Sequence, residues 1–223
     1  MPERLTAAQG QARGRKKPAE PGAGRSVIDV VREVCLALPD ASETIAHGMR
    51  DFRIGKKTFA TFAINHHGDG RVALWLPLAP GGQAHWVAAE PTHCFVPPYV
   101  GPRGWLGVSV DGDLPWSTVT RLVREAYRQV APARLAGTLP EPVTVRPPER
   151  PLAAEEIDPL AAPHAIARVG QLREVCMALP EVREASQFGH PAWQAGKRTF
   201  CTVHRYCGRL EMETWTGGDR QAL

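Results

Sequence analysis

The side chains with the clearest chemical potential are basic. Arg50, Arg53, Lys56 and Lys57 cluster around a Gly55-Lys56 turn signal, and Lys197 and Arg198 follow Gly196 in a similar setting. A basic hairpin can lie against phosphates as a wing, each Lys or Arg displacing a condensed counterion. The same residues also suit a plainer task, keeping a sheet edge soluble and unpaired. A third group, Arg15, Lys16 and Lys17, stands among Gly, Ala and Pro near the start of the chain. That composition suits phosphate binding without sequence preference and with strong salt dependence.

Other reactive residue types do not assemble into a recognisable centre. Cys201, His204 and Cys207 have C-x2-H-x2-C spacing, but strand positions three apart point to opposite faces and cannot converge on one ion. Cys35 and Cys176 sit on apolar helical stripes and read as small buried hydrophobes. His93-Cys94 lacks the base and orienting group that a nucleophilic cysteine needs, and His66-His67 lies in a turn. No glycine-rich phosphate loop, HExxH or GxSxG occurs. The expectation is a non-enzymatic protein with no metal and no cofactor.

The charge balance qualifies the basic reading. The 223 residues carry 27 Lys+Arg and 23 Asp+Glu. Six of the basic and two of the acidic residues fall in positions 1–25, leaving 21 of each sign in the remainder. The basic surplus therefore belongs to an arm, and the rest of the chain is neutral. With 43% hydrophobic residues the chain is globular in composition. It has no apolar run near the ~20 residues a membrane helix needs, and no secretory signal pattern opens it. Five cysteines without a CxxC pair fit a reducing, cytoplasmic setting better than a disulfide framework.

Self-comparison sets the organisation. Residues 31–61 and 172–202 align without a gap at an offset of 141, with 14 of 31 positions identical, including Arg-Glu-Val-Cys, Ala-Leu-Pro and Lys-x-Thr-Phe-x-Thr. This predicts a tandem duplication: a basic arm over 1–25, a first domain over 26–137, a proline-rich linker over 138–163 and a second copy over 164–223. Seven of the 21 prolines lie in that linker, a density expected to forbid helix and sheet.

In the first copy, Ser26 and Asp29 form a capping-box signature before an apolar helical stripe, Val27 to Leu38, that Pro39 stops. Phe52-Ile54 and Phe59-Ile64 read as a hairpin. The turn at His66 to Gly70 leads to a third strand over 71–76, a short helix over 83–89, and strands over 94–100 and 105–111. An amphipathic helix from Trp116 to Val130 closes the unit. Trp105 and Trp116 read as packing residues.

These features carry a family resemblance. REVCLALPD, the Gly-Lys-Lys hairpin with a following Phe, the segment Pro98 to Trp105 and the ending Ala126 to Pro132 resemble the MmcQ/YjbR family. The resemblance implies an α+β fold of CyaY-like (frataxin-like) topology, an antiparallel sheet with N- and C-terminal helices packed on one face. It also implies DNA as a partner, with wing-like strands placing Arg71 and Arg103 beside the hairpin cations at the contact surface. An iron role suggested by the fold would need a carboxylate ridge, and the opening helix offers only Asp29 and Glu33 before Asp40.

The second copy covers only the family's first half. It has no counterpart of the Tyr99 to Trp105 segment or of the closing helix, and its ending reads as truncated or degenerate. One helix and three strands leave an apolar face uncovered, which suits self-association. The resulting expectation is a non-catalytic, sequence-nonspecific DNA-binding protein. The alternative is a protein-interaction or small-ligand adaptor.

Overall fold

A computed structural model describes residues 24–206 and 209–215. The arm cations Arg15, Lys16 and Lys17, together with Cys207, lie outside the described residues. The architecture is mixed α/β, with two antiparallel sheets and several helices.

Helix α1 (Val27–Leu36) starts where the capping signature places it. The Ser26 N–H donates to Asp29 Oδ2 at 2.9 Å and the Ser26 hydroxyl at 2.8 Å. Strands β1 (Ala41–Ala46), β2 (Met49–Ile54), β3 (Lys57–Ile64), β4 (Val72–Pro77), β5 (Cys94–Phe95) and β6 (Trp105–Ser109) form a sheet of order β1-β2-β3-β4-β6-β5. Helix α2 (Gly82–Ala89) links β4 to β5, and α3 (Trp116–Val130) follows β6.

One face of this sheet is dry. Phe52, Phe62, Leu74 and Val108 point toward Val31 and Val34 of α1 and toward Leu122, Ala126 and Tyr127 of α3 in one buried cluster. Period-2 alternation then sends Asp51, Thr61, Ala63, Ala73, Trp75, Phe95 and Gly107 to the opposite, outer face. A bulge at Phe59, where Phe52 pairs with Ala60 but Arg53 with Thr58, turns the Phe59 ring to the helix side.

Three expectations need correction. Strand β1 has no sequence signature, being Ala-Ser-Glu-Thr-Ile-Ala, and exists because the His47-Gly48 turn folds it onto β2. The strand read over 94–100 is only Cys94–Phe95. Pro97 and Pro98 have no N–H for a ladder, and the Gly101 N–H instead closes a turn onto the Pro97 carbonyl at 3.0 Å. The proline-rich segment holds single turns of helix, α4 (Ala133–Ala136) just before it and α5 (Ala154–Ile157) within it. Its stretch from Leu139 to Leu152 lies as a strap against the first core through Leu139, Val143, Val145 and Leu152. Glu149 and Arg150 fasten that strap to Gly24 and Arg25.

Helix α6 (Pro163–Met177) precedes a second sheet of β7 (Val182–Gln187), β8 (His190–Ala195), β9 (Arg198–Tyr206) and β10 (Arg209–Thr214), ordered β10-β9-β8-β7. Its backbone repeats the first sheet's irregularities at the same offset of 141. Positive φ at Asp40, His47, Gly48 and Gly55 recurs at Glu181, Phe188, Gly189 and Gly196. The bulge recurs at Phe200, between the Trp193–Cys201 and Gln194–Thr199 pairs. The β7–β8 turn rests on the first unit: the Phe188 and His67 rings lie 5.2 Å apart, and a Cβ on Gly189 would collide with the His67 carbonyl.

Candidate nucleic-acid interface

The cations around the β2–β3 hairpin do not share a face. Arg50 lies on the helix side, opposite Phe62, and donates to Glu43 Oε1 at 2.6 Å. Glu43 also takes Arg32 of α1 at 2.9 Å, so it neutralises part of both. Arg53 points to the outer face. Its Nε donates to Thr58 Oγ1 at 3.1 Å, and its terminal NH2 group donates to the Lys56 carbonyl at 3.3 Å. The Thr58 hydroxyl passes on to Asp51 Oδ2, and Thr61 donates to Asp51 Oδ1 at 2.6 Å. Lys56 and Lys57 are exposed at the tip, and Lys197 and Arg198 occupy the matching tip of the β8–β9 hairpin.

At the other end of the outer face the sheet carries aromatic rings. Phe95 lies flat on Gly107, where an added Cβ would stand 2.5 Å from the ring, so only glycine leaves room for it. The Arg71 guanidinium covers the other side of that ring at 4.1 Å from its centroid, a cation–π contact. Trp75 meets the His66 ring edge-on at 4.8 Å, and His66 meets Tyr99. His67 Nε2 and the Tyr99 hydroxyl are 2.9 Å apart.

Backbone strain holds this cluster in place. Asn65, His67 and Tyr99 all adopt left-handed φ, at 47°, 54° and 63°, each costing on the order of 1–2 kcal/mol in a non-glycine residue. The Asn65 side chain offsets part of that by accepting from the Gly70 N–H at 2.8 Å. Gln83 Nε2 donates to the Gly101 and Trp105 carbonyls and pins the loop that carries Arg103 and Tyr99. Such strain concentrates at functional loops.

Sequence reasoning placed Arg71 and Arg103 at the surface but passed over Phe95, Tyr99 and Trp75 as its companions. The available signal was the alternation Ala73-x-Trp75 with glycine at 107, which marks an outer-face ring lying on bare backbone.

The cysteine and histidine candidates separate. Cys94 is buried on the helix side, and burial pushes its thiol up to about 11. His93 instead faces Asp113, with Nε2 at 2.7 Å from Oδ1. Cys201 is buried against α6, and burial likewise raises it to about 11. His204 lies on the other side of β9, near Glu211 and Glu213. Trp105 and Trp116 are half-buried against the outer and helix-side clusters.

Residues 36–129 match the family model described as YjbR. The match spans less than half of the chain. The crystal structure of a Deinococcus radiodurans protein with a DUF419 domain aligns at 23% identity and a TM-score of 0.43, over 53% of this chain and 92% of that one. No curated protein matches the chain. Both the hairpin and the aromatic cluster fall inside the YjbR match, whereas Lys197 and Arg198 fall outside it. Among the described residues no helix is long and apolar enough to cross a membrane.

Proposed function

We propose that the protein is a non-catalytic DNA-binding protein without sequence preference, contacting phosphates through the outer face of the first sheet. One observation carries this reading, an outer sheet face whose arginines lack carboxylate partners, in contrast to those around α1 and the strap. On the helix side Arg25, Arg32, Arg50, Arg134 and Arg150 are each paired with a carboxylate. Outer-face Arg53 and Arg71, with Lys56 and Arg103 at its margins, make no ion pair among the described residues. Arg71, held on Phe95, presents a planar cation on which a base can stack, and Tyr99 is an exposed ring next to His66 and His67.

Arg50 drops out of the contact set, because binding a phosphate would require it to leave Glu43. Lys57, Lys197, Arg198 and the arm residues Arg15, Lys16 and Lys17 add charge around this face. The test is fluorescence anisotropy with a labelled duplex over a salt series. Four phosphate contacts give a slope of log K against log salt of about −3 to −4. A slope unchanged by joint replacement of Arg53, Lys56, Arg71 and Arg103 with Gln sinks the reading.

A second reading, self-association or adaptor docking, is favoured by the second unit, which we take as a partial copy of the first with a CyaY-like plan. Val34 and Leu38 are 2% and 5% exposed in the first unit, while their counterparts Val175 and Leu179 are 66% and 50% exposed. The first unit covers this position with α3, and the second has no such helix among the described residues. Light scattering over a concentration series tests it: a dimer dispersed by Val175→Glu supports the reading, and a monomer at all concentrations removes self-association.

A further inference from the structure

Helix α3 buries Val119, Leu122, Val123, Ala126 and Tyr127 in the core. Its other side carries Ser117, Arg121, Arg124 and Arg128 at i, i+4, i+7 and i+11, one continuous helical stripe. The stripe faces the strap from Pro142 to Val145 across a groove of about 540 Å³, within the range of small-molecule sites, about 300–1,000 Å³. Val143 and Val145 tuck toward the core, and the Arg150–Glu156 pair anchors the strap further on. The wall opposite the arginines is therefore a fixed part of the fold.

Three features of this groove are unusual for a merely solvated helix side. Arg121, Arg124 and Arg128 make no ion pair among the described residues, although most arginines near α1 and the strap do. Partial burial, with Arg128 close by, holds the Arg124 guanidinium below the ordinary arginine value, and Glu141 offsets only part of this. Thr120, 2% exposed, also lines the groove, and its Oγ1 is buried without a hydrogen-bond partner. A helical threonine ordinarily returns its hydroxyl to the i−4 carbonyl. An unsatisfied buried hydroxyl is destabilising.

We propose that this groove binds the phosphate group of a small phosphorylated molecule, with Arg124 and Arg128 as the charged fork and Thr120 as the buried hydroxyl donor. The guanidinium fork matches phosphate oxygens in bidentate geometry. Ser117 and Thr144 stand at the groove as further hydroxyls. Arg121, which also lines the groove, is partly engaged by the Trp86 ring at 5.1 Å. Pro142, Val143 and Val145 supply the apolar wall that a bound molecule needs beyond its phosphate. The site is separate from the outer-face surface proposed for DNA, because α3 packs on the opposite side of the sheet.

The experiment is calorimetric titration of the full chain with pyrophosphate, in buffer matched for ionic strength with chloride. Saturable binding is expected, weakened about tenfold or more in Arg124→Gln/Arg128→Gln and about threefold in Thr120→Val. Thr120→Val removes only a hydroxyl from a buried position, so its melting temperature should hold or rise while binding falls. That combination separates a ligand role from a structural one. Binding that is absent in matched chloride, or unchanged in the arginine variant, overturns the proposal. A competing duplex DNA that displaces pyrophosphate also overturns it, since the groove would then belong to a nucleic-acid surface.

Discussion

The Tyr127 hydroxyl donates to the Pro39 carbonyl at 2.8 Å, joining the end of α3 to the turn after α1 across 88 positions of sequence. The same ring meets Phe59, the bulge residue of β3, edge-on at 5.3 Å. One side chain thus ties both helices to the sheet. Tyr127→Phe removes the hydrogen bond alone and should cost about 1 kcal/mol in urea denaturation. Tyr127→Ala also empties a fully buried site and should cost about 3–5 kcal/mol.

The cap of α1 gives a pH dependence. The Ser26 N–H favours the carboxylate of Asp29 and holds its pKa below the ordinary aspartate value. A carboxyl depressed in the folded state contributes stability above its unfolded pKa, and loses it as pH falls through the folded pKa. Asp29→Asn should flatten the stability profile below about pH 4, the ordinary aspartate range, and leave its shape near neutrality unchanged. A variant profile parallel to the wild type throughout the acid range would exclude this cap as a source of acid sensitivity.

Gly107 and Arg71 should behave as one unit. Gly107→Ala pushes a Cβ into the Phe95 ring and should cost about 1–3 kcal/mol through overpacking. It should also lower DNA affinity by dislodging the surface under Arg71. Anisotropy at a temperature where the variant remains folded would separate the two effects.

Arg50→Ala should show the reverse pattern. Its partner Glu43 keeps Arg32, so the loss of stability should stay below about 1 kcal/mol. DNA affinity and its salt slope should not change. A slope reduced by about one contact would return Arg50 to the binding surface.

The thiols should be silent in the native state. Cys35, Cys94, Cys176 and Cys201 are all buried, and burial raises each of them. In a Cys207→Ser background, a disulfide reagent at mildly alkaline pH should titrate none of them before denaturant is added. Stoichiometric reaction without denaturant would show that this part of the core opens readily.

Much of the fold was legible where pattern and burial coincide. The stripe from Val27 to Leu38 and the Gly55-Lys56 hairpin each state their structure locally. Strand β1 was not legible, because Ser42, Glu43 and Thr44 are polar and the strand is held by its neighbour rather than by its own composition. The candidate surface was legible only as charge. Their spacing of three on one strand already sends Arg50 and Arg53 to opposite faces, but the carboxylate that takes Arg50, Glu43, comes from β1, which has no strand signature of its own. The groove on α3 stayed hidden for a related reason: Arg121, Arg124 and Arg128 look like the solvated side of any amphipathic helix until the strap is laid across them.

The shared backbone irregularities of β1–β3 and β7–β9 have a kinetic consequence. Two segments with the same turns and the same bulge offer β4 two templates of nearly equal register during folding, and repeats of this kind are prone to exchange partners. The short connection from His66 to Arg71 tethers β4 to β3 and raises the local concentration of the correct partner over the distant one. Fidelity of assembly therefore rests on the loop that also carries the strained His67, so changes to its length should appear first as misassembled refolding products.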